Sequence, residues 1–254
     1  MKHEIRGHTA FVTIDNPPAN TWTPKSLRSL ETLVGELNAD RTVYAMVITG
    51  SGEKFFSAGA DLKTFSGDKA VARDFIARFG AAFEALQNSR FVTIAAMNGY
   101  AMGGGLECAL SCDIRIAESQ AQMALPEPAV GLLPAGSGTQ MLPWLVGEGW
   151  AKRMILTNER IDAATALRIG LVQEVVDKGK SVAAATALAD RVATLSPRAV
   201  EYCKGLIHNA RNGIPKRGGL SLERERFVDL FEYRDTAEGV NAFLEKRKPE
   251  WKND

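Results

Sequence analysis

Apolar positions along this chain switch between two spacings, every second residue and every third or fourth. HTAFVTID (8–15) alternates as a strand does, and the two prolines of NPPAN (16–20) end it. From Pro24 to Asn38 the residues Leu27, Leu30, Leu33, Val34 and Leu37 recur at helical spacing, with Pro24 suited to a first turn. VYAMVITG (43–50) is a nearly continuous apolar run, which predicts a strand covered on both faces. After it comes the loop SGEKFFSAGADLKTFSGD, with glycines at 52, 59 and 67, and then an amphipathic helix whose apolar face is 71, 75, 79, 82, 83 and 86. FVTIAAM (91–97) repeats the buried-strand pattern and runs into YAMGGGLECALSC (100–112), where three glycines precede a short helix. Strand, glycine loop and helix thus occur twice in succession, and in such layouts ligands gather where loops leave the carboxyl ends of strands.

DIRIAE (113–118) and AQMAL (121–125) predict short strands, followed by the loop LPEPAVGLLPAGSG. Helices are expected over Thr139–Leu156 and Ala163–Ile169, and LVQEVV (171–176) is the last strand. Beyond about Lys178 the pattern is helical throughout, over 181–195, 198–211, 221–231 and 236–247, with NGIPKRGG (212–219) as a break. The expected class is therefore α/β with a helical C-terminal appendage, divided as 1–195 and 196–254.

Composition narrows the function. A chain of 254 residues, 45% of them hydrophobic, can bury a full core and is expected to be soluble and globular. Its formal net charge of +1 gives no field to attract nucleic acid or a membrane surface. Cys108, Cys112 and Cys203 are odd in number, lack zinc spacing and sit in apolar helical patterns, which reads as buried thiols in a reducing compartment. No secretory signal opens the sequence, so a cytoplasmic location is expected. Histidine occurs only at 3, 8 and 208, away from both glycine loops, and no nucleophile elbow, HExxH, CxxC, GxGxxG or phosphate-loop pattern is present. Hydrolysis by a Ser–His pair, metal catalysis and nicotinamide or nucleotide binding all lose support.

Carboxylate chemistry beside main-chain donors is what remains. If a helix starts at the triple glycine, its first N–H groups are unspent and favour negative charge, with Glu107 one turn inside. Glu107 can equally cap its own helix. Glu127 lies between Pro126 and Pro128, which should hold its backbone extended; it is either a solvated turn residue or an acid facing the same ligand. Were the two carboxylates together, they would suit proton transfer next to a carbonyl that becomes an oxyanion.

FFSAGADL (55–62), NGYAMGGGLECALSCD (98–113), LPEPAVGLLPAGSGTQ (125–140), IDAATALRIGLVQEVV (161–176) and EGVNAFLEKRKPEW (238–251) together resemble the enoyl-CoA hydratase/isomerase (crotonase) family, in order and over nearly the whole chain. The resemblance implies a spiral of ββα units with C-terminal helices that assemble trimers, often paired into hexamers. It implies that the N–H groups of Ala60 and Gly104 form an oxyanion hole for a CoA thioester, and that Glu107 and Glu127 are the catalytic pair. Glu107 would help activate water and a protonated Glu127 would supply Cα, giving hydration of a trans-2-enoyl-CoA to the 3-hydroxyacyl-CoA. CoA contacts are implied for Ala58, Asp61, Leu62 and Lys63, and for Phe243 and Lys246 of a neighbouring subunit. For Lys63, Phe243 and Lys246 an ordinary surface or helix-face role is the competing account. No metal and no separate cofactor are implied, coenzyme A being part of the substrate.

Two departures from the family pattern stand out. Pro128 follows Glu127 where an aliphatic residue is usual, and LPAGSG permutes the small residues of the more usual PGAGG, which together bear on the acyl pocket. Isomerisation or decarboxylation with one glutamate, a non-catalytic CoA-ester subunit and an RNA-binding role are the alternatives. Retention of both carboxylates and the near-neutral charge favour hydration over all of them.

Overall fold

The computed structural model describes residues 1–64 and 68–254; Phe65, Ser66 and Gly67, at the end of the expected glycine loop, lie outside the described residues. Two sheets carry the fold. The larger takes β1 (Lys2–Arg6), β2 (Thr9–Ile14), β3 (Ala45–Gly50), β5 (Val92–Met97), β7 (Ile114–Glu118) and β10 (Glu174–Val176) in that spatial order. Among the described residues of this larger sheet, only the β1–β2 pair is antiparallel. The smaller sheet takes β4 (Phe55–Ser57), β6 (Tyr100–Met102), β8 (Gln122–Ala124) and β9 (Ile161–Asp162). Three successive turns, β3–β4, β5–β6 and β7–β8, each lay one longer strand in the first sheet and one short strand in the second before a helix closes them. This is the ββα spiral expected above.

Helices cover both faces of the large sheet. Met46, Ile48, Ala95 and Met97 point into the main core with Leu27, Leu30 and Val34 of α1 (Pro24–Ala39) and Phe79 and Phe83 of α2 (Lys69–Gln87). Their neighbours Ala45, Val47, Ile94 and Ala96 point the other way, onto Ala185 and Ala189 of α6 (Ser181–Val192). That two-sided burial is why β3 and β5 read as continuous apolar runs rather than alternating ones. α3 (Gly104–Leu110) is entirely buried, and α4 (Gly138–Leu156) is bent at Gly147, whose φ is +79°. α5 (Ala163–Arg168) links β9 to the crossing towards β10. After α6 the chain is helical: α7 (Pro197–Arg211), α8 (Lys216–Asp229) and α9 (Arg234–Leu244).

Several expectations are corrected. β1 is a fully exposed edge strand with no apolar face to reveal it, and β4 and β9 of the small sheet, three and two residues long, are too short to show a period. The break placed at 212–219 is shorter, because α8 already includes Lys216–Gly219, with Pro215 at the cap position where a missing N–H costs nothing. The strand placed at 171–176 pairs only from Glu174. Cys108 and Cys112 are buried, and burial pushes both thiols up, Cys112 to about 12; Cys203, on the outer face of α7, is exposed.

Candidate active site

The two glycine loops leave the carboxyl ends of adjacent parallel strands, β3 and β5, and one side chain ties them together. Asn98, just past β5, donates from Nδ2 to the carbonyls of Gly50 (3.0 Å) and Gly52 (2.7 Å) and accepts from Gly50 N at 3.1 Å. The loops then pack with almost no gap. A methyl on Gly59, whose φ is +90°, would fall 2.7 Å from the Met102 carbonyl oxygen and 3.0 Å from Gly104 N, and one on Gly105 only 2.1 Å from the Ser57 carbonyl oxygen. Such spacing excludes a side chain at either position, so the sequence answers with glycine.

Asn20 and Trp22 hold the first loop from behind. Ala58 N donates to Ala19 O, Trp22 N to Gly59 O and Asp61 N to Trp22 O, at 2.9, 2.7 and 2.9 Å. In this parallel bridge the N–H of Ala60 is directed away from Trp22. Among the described residues Ala60 N and Gly104 N donate to no protein acceptor, and both residues line one cavity of about 350 Å3.

Glu107 and Glu127 line the same cavity. Glu107, only 3% exposed, lies in α3 and accepts from Gly136 N and Gly138 N, both at 2.8 Å and both on Oε1. Between those donors Ser137 holds φ at +114°, a conformation that side chains rarely adopt. The permuted LPAGSG segment is thus the cradle of the carboxylate. Burial, and then the charge of Glu127, push Glu107 up to about 7 from the ordinary 4.5, against the pull of the two N–H donors. Burial also raises Glu127, whose Oε2 is buried with no hydrogen-bond partner. Its other oxygen lies against Gly103, where a methyl would come within 2.7 Å.

The expected extended backbone at Glu127 is not found. Glu127 opens a 3-10 turn, Glu127–Val130, and Pro128 occupies an early position that requires no N–H. Proline there stiffens the turn instead of straightening it. The rest of the cavity wall is apolar: Ile76 and Phe79 from α2, and Val130, Leu132 and Leu133 from the loop after Glu127.

Of the residues expected to meet coenzyme A, Ala58 and Leu62 line the cavity. The N–H groups of Ala58 and Asp61 are spent on Ala19 and Trp22, so any contact these two make with a ligand falls to other atoms. Lys63 is exposed in the 3-10 turn Leu62–Thr64 next to the cavity mouth. Phe243, 82% exposed, and Lys246 belong to α9 and its end and are not part of the cavity wall in one chain. Sequence reasoning missed the donors Gly136 and Gly138 and the role of Trp22, since a main-chain N–H leaves no trace in residue type.

An α/β spiral with paired carboxylates and unspent amides around one apolar cavity defines a class of protein, and the comparisons agree with it. The chain belongs to the enoyl-CoA hydratase/isomerase family, which it matches over residues 4–254. It is 39% identical over 249 residues to a short-chain-enoyl-CoA hydratase of Clostridium acetobutylicum, covering 97% of this chain and 95% of that one. Among solved structures, Pseudomonas aeruginosa DspI superposes with a TM-score of 0.97 at 65% identity, covering 99% of this chain and 96% of DspI. An enoyl-CoA hydratase from Bacillus anthracis superposes with a TM-score of 0.96 at 33% identity over 100% of this chain and 99% of its own. No described helix is long and apolar enough to cross a membrane.

Proposed function

We propose that this protein is an enoyl-CoA hydratase, adding water reversibly and syn across the 2,3 double bond of a trans-2-enoyl-CoA to give the 3-hydroxyacyl-CoA. The observation that carries the reading is a buried carboxylate, a half-buried one and two unspent main-chain amides facing a single cavity. The thioester oxygen is held by the N–H groups of Ala60 and Gly104, donors that strengthen as the oxygen gains charge. Removing one such donor elsewhere costs roughly 3 to 4 kcal/mol of transition-state stabilisation.

The charge state fits hydration. Burial raises both carboxyls and the charge of Glu127 raises Glu107 further, and carboxylates so arranged favour sharing one proton. One member then takes a proton from water as the hydroxyl bonds to Cβ, and the other gives its proton to Cα. Glu107 is assigned the water, because two N–H donors on Oε1 stabilise its anion and leave Oε2 free. Glu127 is assigned Cα, because no donor holds its buried Oε2.

Loss of the conjugated-thioester absorbance with crotonyl-CoA and with a longer enoyl-CoA is the direct assay; no turnover with any chain length would sink the reading. Glu107→Gln and Glu127→Gln should each cut kcat by about 10²- to 10⁴-fold, the usual share of a general acid or base. Full activity in either variant contradicts a two-carboxylate mechanism.

The same family membership supports assembly into trimers or pairs of trimers, with Phe243 and Lys246 reaching a neighbour's coenzyme A and Lys63 meeting its phosphates. Exposed aromatic side chains on α8 and α9 support that reading.

A further inference from the structure

We propose that Trp22 is a positioning residue for the oxyanion hole, setting the spacing between the Ala60 and Gly104 amides; this rests on the hydratase reading above. Trp22 touches both donor turns by different parts of itself. Its main chain brackets Ala60, giving its N–H to Gly59 O and taking that of Asp61. Its indole lies behind the other turn beside the Phe79 ring: a methyl on Gly104 would sit 3.5 Å from Trp22 Cδ1 and 2.6 Å from Phe79 Cε1. One rigid residue thus spans the two amides.

Trp22 itself has little freedom to move. Two residues before it, Asn20 is fixed by bonds to the Ser51 and Phe55 carbonyls, both at 2.9 Å. Immediately after it, Thr23 caps α1 through a reciprocal pair with Ser26. The indole is fully buried and meets Phe83 edge to face at 5.7 Å, with Phe79 and Phe75 extending the stack along α2. Its Nε1 has no hydrogen-bond partner. A buried unpaired donor is a penalty that phenylalanine or leucine would avoid, so simple core filling does not account for an indole here. Its breadth does, because a smaller side chain would leave the Gly104 turn propped by the Phe79 ring alone and let it tilt away from the Ala60 amide.

The test uses 13C=O-labelled butyryl-CoA, a saturated thioester that binds without hydration, and crotonyl-CoA turnover. In the parent protein the bound carbonyl stretch should fall below its value in water, reporting polarisation by the two amides; no fall would overturn the oxyanion reading itself. In Trp22→Leu the stretch should return most of the way to the water value. Turnover should drop by roughly 100-fold, the cost of a displaced catalytic group, with KM within about threefold. Trp22→Phe should recover much of both. A folded Trp22→Leu protein with the parent's carbonyl shift and kcat would overturn the role of Trp22 while leaving the hydratase reading intact. If Trp22→Leu does not fold, Trp22→Phe decides: an intermediate shift and kcat support the proposal, and parental values for both overturn it.

Discussion

Glu107 pays for its position in stability, and the sign of that cost can be worked out. Its carboxyl titrates near 7 in the folded chain and near 4.5 when exposed, so between those values the folded state binds a proton that the unfolded state releases. The stabilisation is complete below about 4.5 and is lost as pH rises through 7, a change of about 3 kcal/mol. Glu107→Gln keeps an oxygen to accept from Gly136 and Gly138 but cannot ionise. It should therefore be more stable than the parent at pH 8, by up to about 3 kcal/mol, with the difference vanishing towards pH 4. Denaturant unfolding across that range measures it, and a pH-independent difference would contradict the buried-carboxylate account. Because the charge of Glu127 is one cause of the rise, Glu127→Gln should move the parent's window to lower pH. The identities of both glutamates were legible in the sequence because their residue type is the chemistry. Their cradle was not, since Gly136 and Gly138 act through N–H groups that every non-proline residue carries.

Among elements, the long buried ones announced themselves, and of the short strands in the small sheet only β8 did, within AQMAL. α1 and α2 each carry a full apolar stripe, and β3 and β5 are buried on both faces, so their periods survive inspection. β4, β6, β8 and β9 position both glycine loops, yet none exceeds three residues, and their pairing depends on partners far along the chain. α7 shows a different limit. It docks against the sheet through Lys204, whose Nζ meets Asp113 Oδ2 at 2.8 Å, Phe91 O at 2.8 Å and Ser89 Oγ at 3.0 Å, with both charged side chains largely buried. A helical pattern gives no hint that one of its lysines points inward. Lys204→Met leaves Asp113 buried with Thr93 and His208 as its remaining partners, and should destabilise the protein by about 3 kcal/mol. Adding Asp113→Asn should cost less than the two single losses combined. Unfolding at one fixed protein concentration tests the pair, and strict additivity would show that the two charges do not depend on each other.

At the scale of the whole molecule, five motifs in order specified the spiral, because each ββα turn brings its loop to the same end of the sheets. What one chain leaves open is its outer surface. Phe227 and Val228 on α8, Phe231 just after it, and Val240, Phe243 and Leu244 on α9 are all exposed, with the Phe227 and Phe231 rings 5.6 Å apart. Large contiguous apolar surface on a folded protein marks an interface, and the proposed trimer is the occupant that also explains why Phe243 and Lys246 lie outside their own chain's cavity. The native mass should then be a multiple of the 27.5 kDa chain, measured by light scattering on a sizing column. Phe227→Glu combined with Phe231→Glu should reduce it to a single chain, since two buried charges without partners outweigh the contacts they replace. Glu107, Glu127, Ala60 and Gly104 all belong to one chain, so kcat should fall little while KM for the CoA ester rises as the neighbour's Phe243 and Lys246 are lost. A parent protein that runs as a single chain would refute the assembly, and a monomeric variant with the parent's KM would refute the shared coenzyme A site.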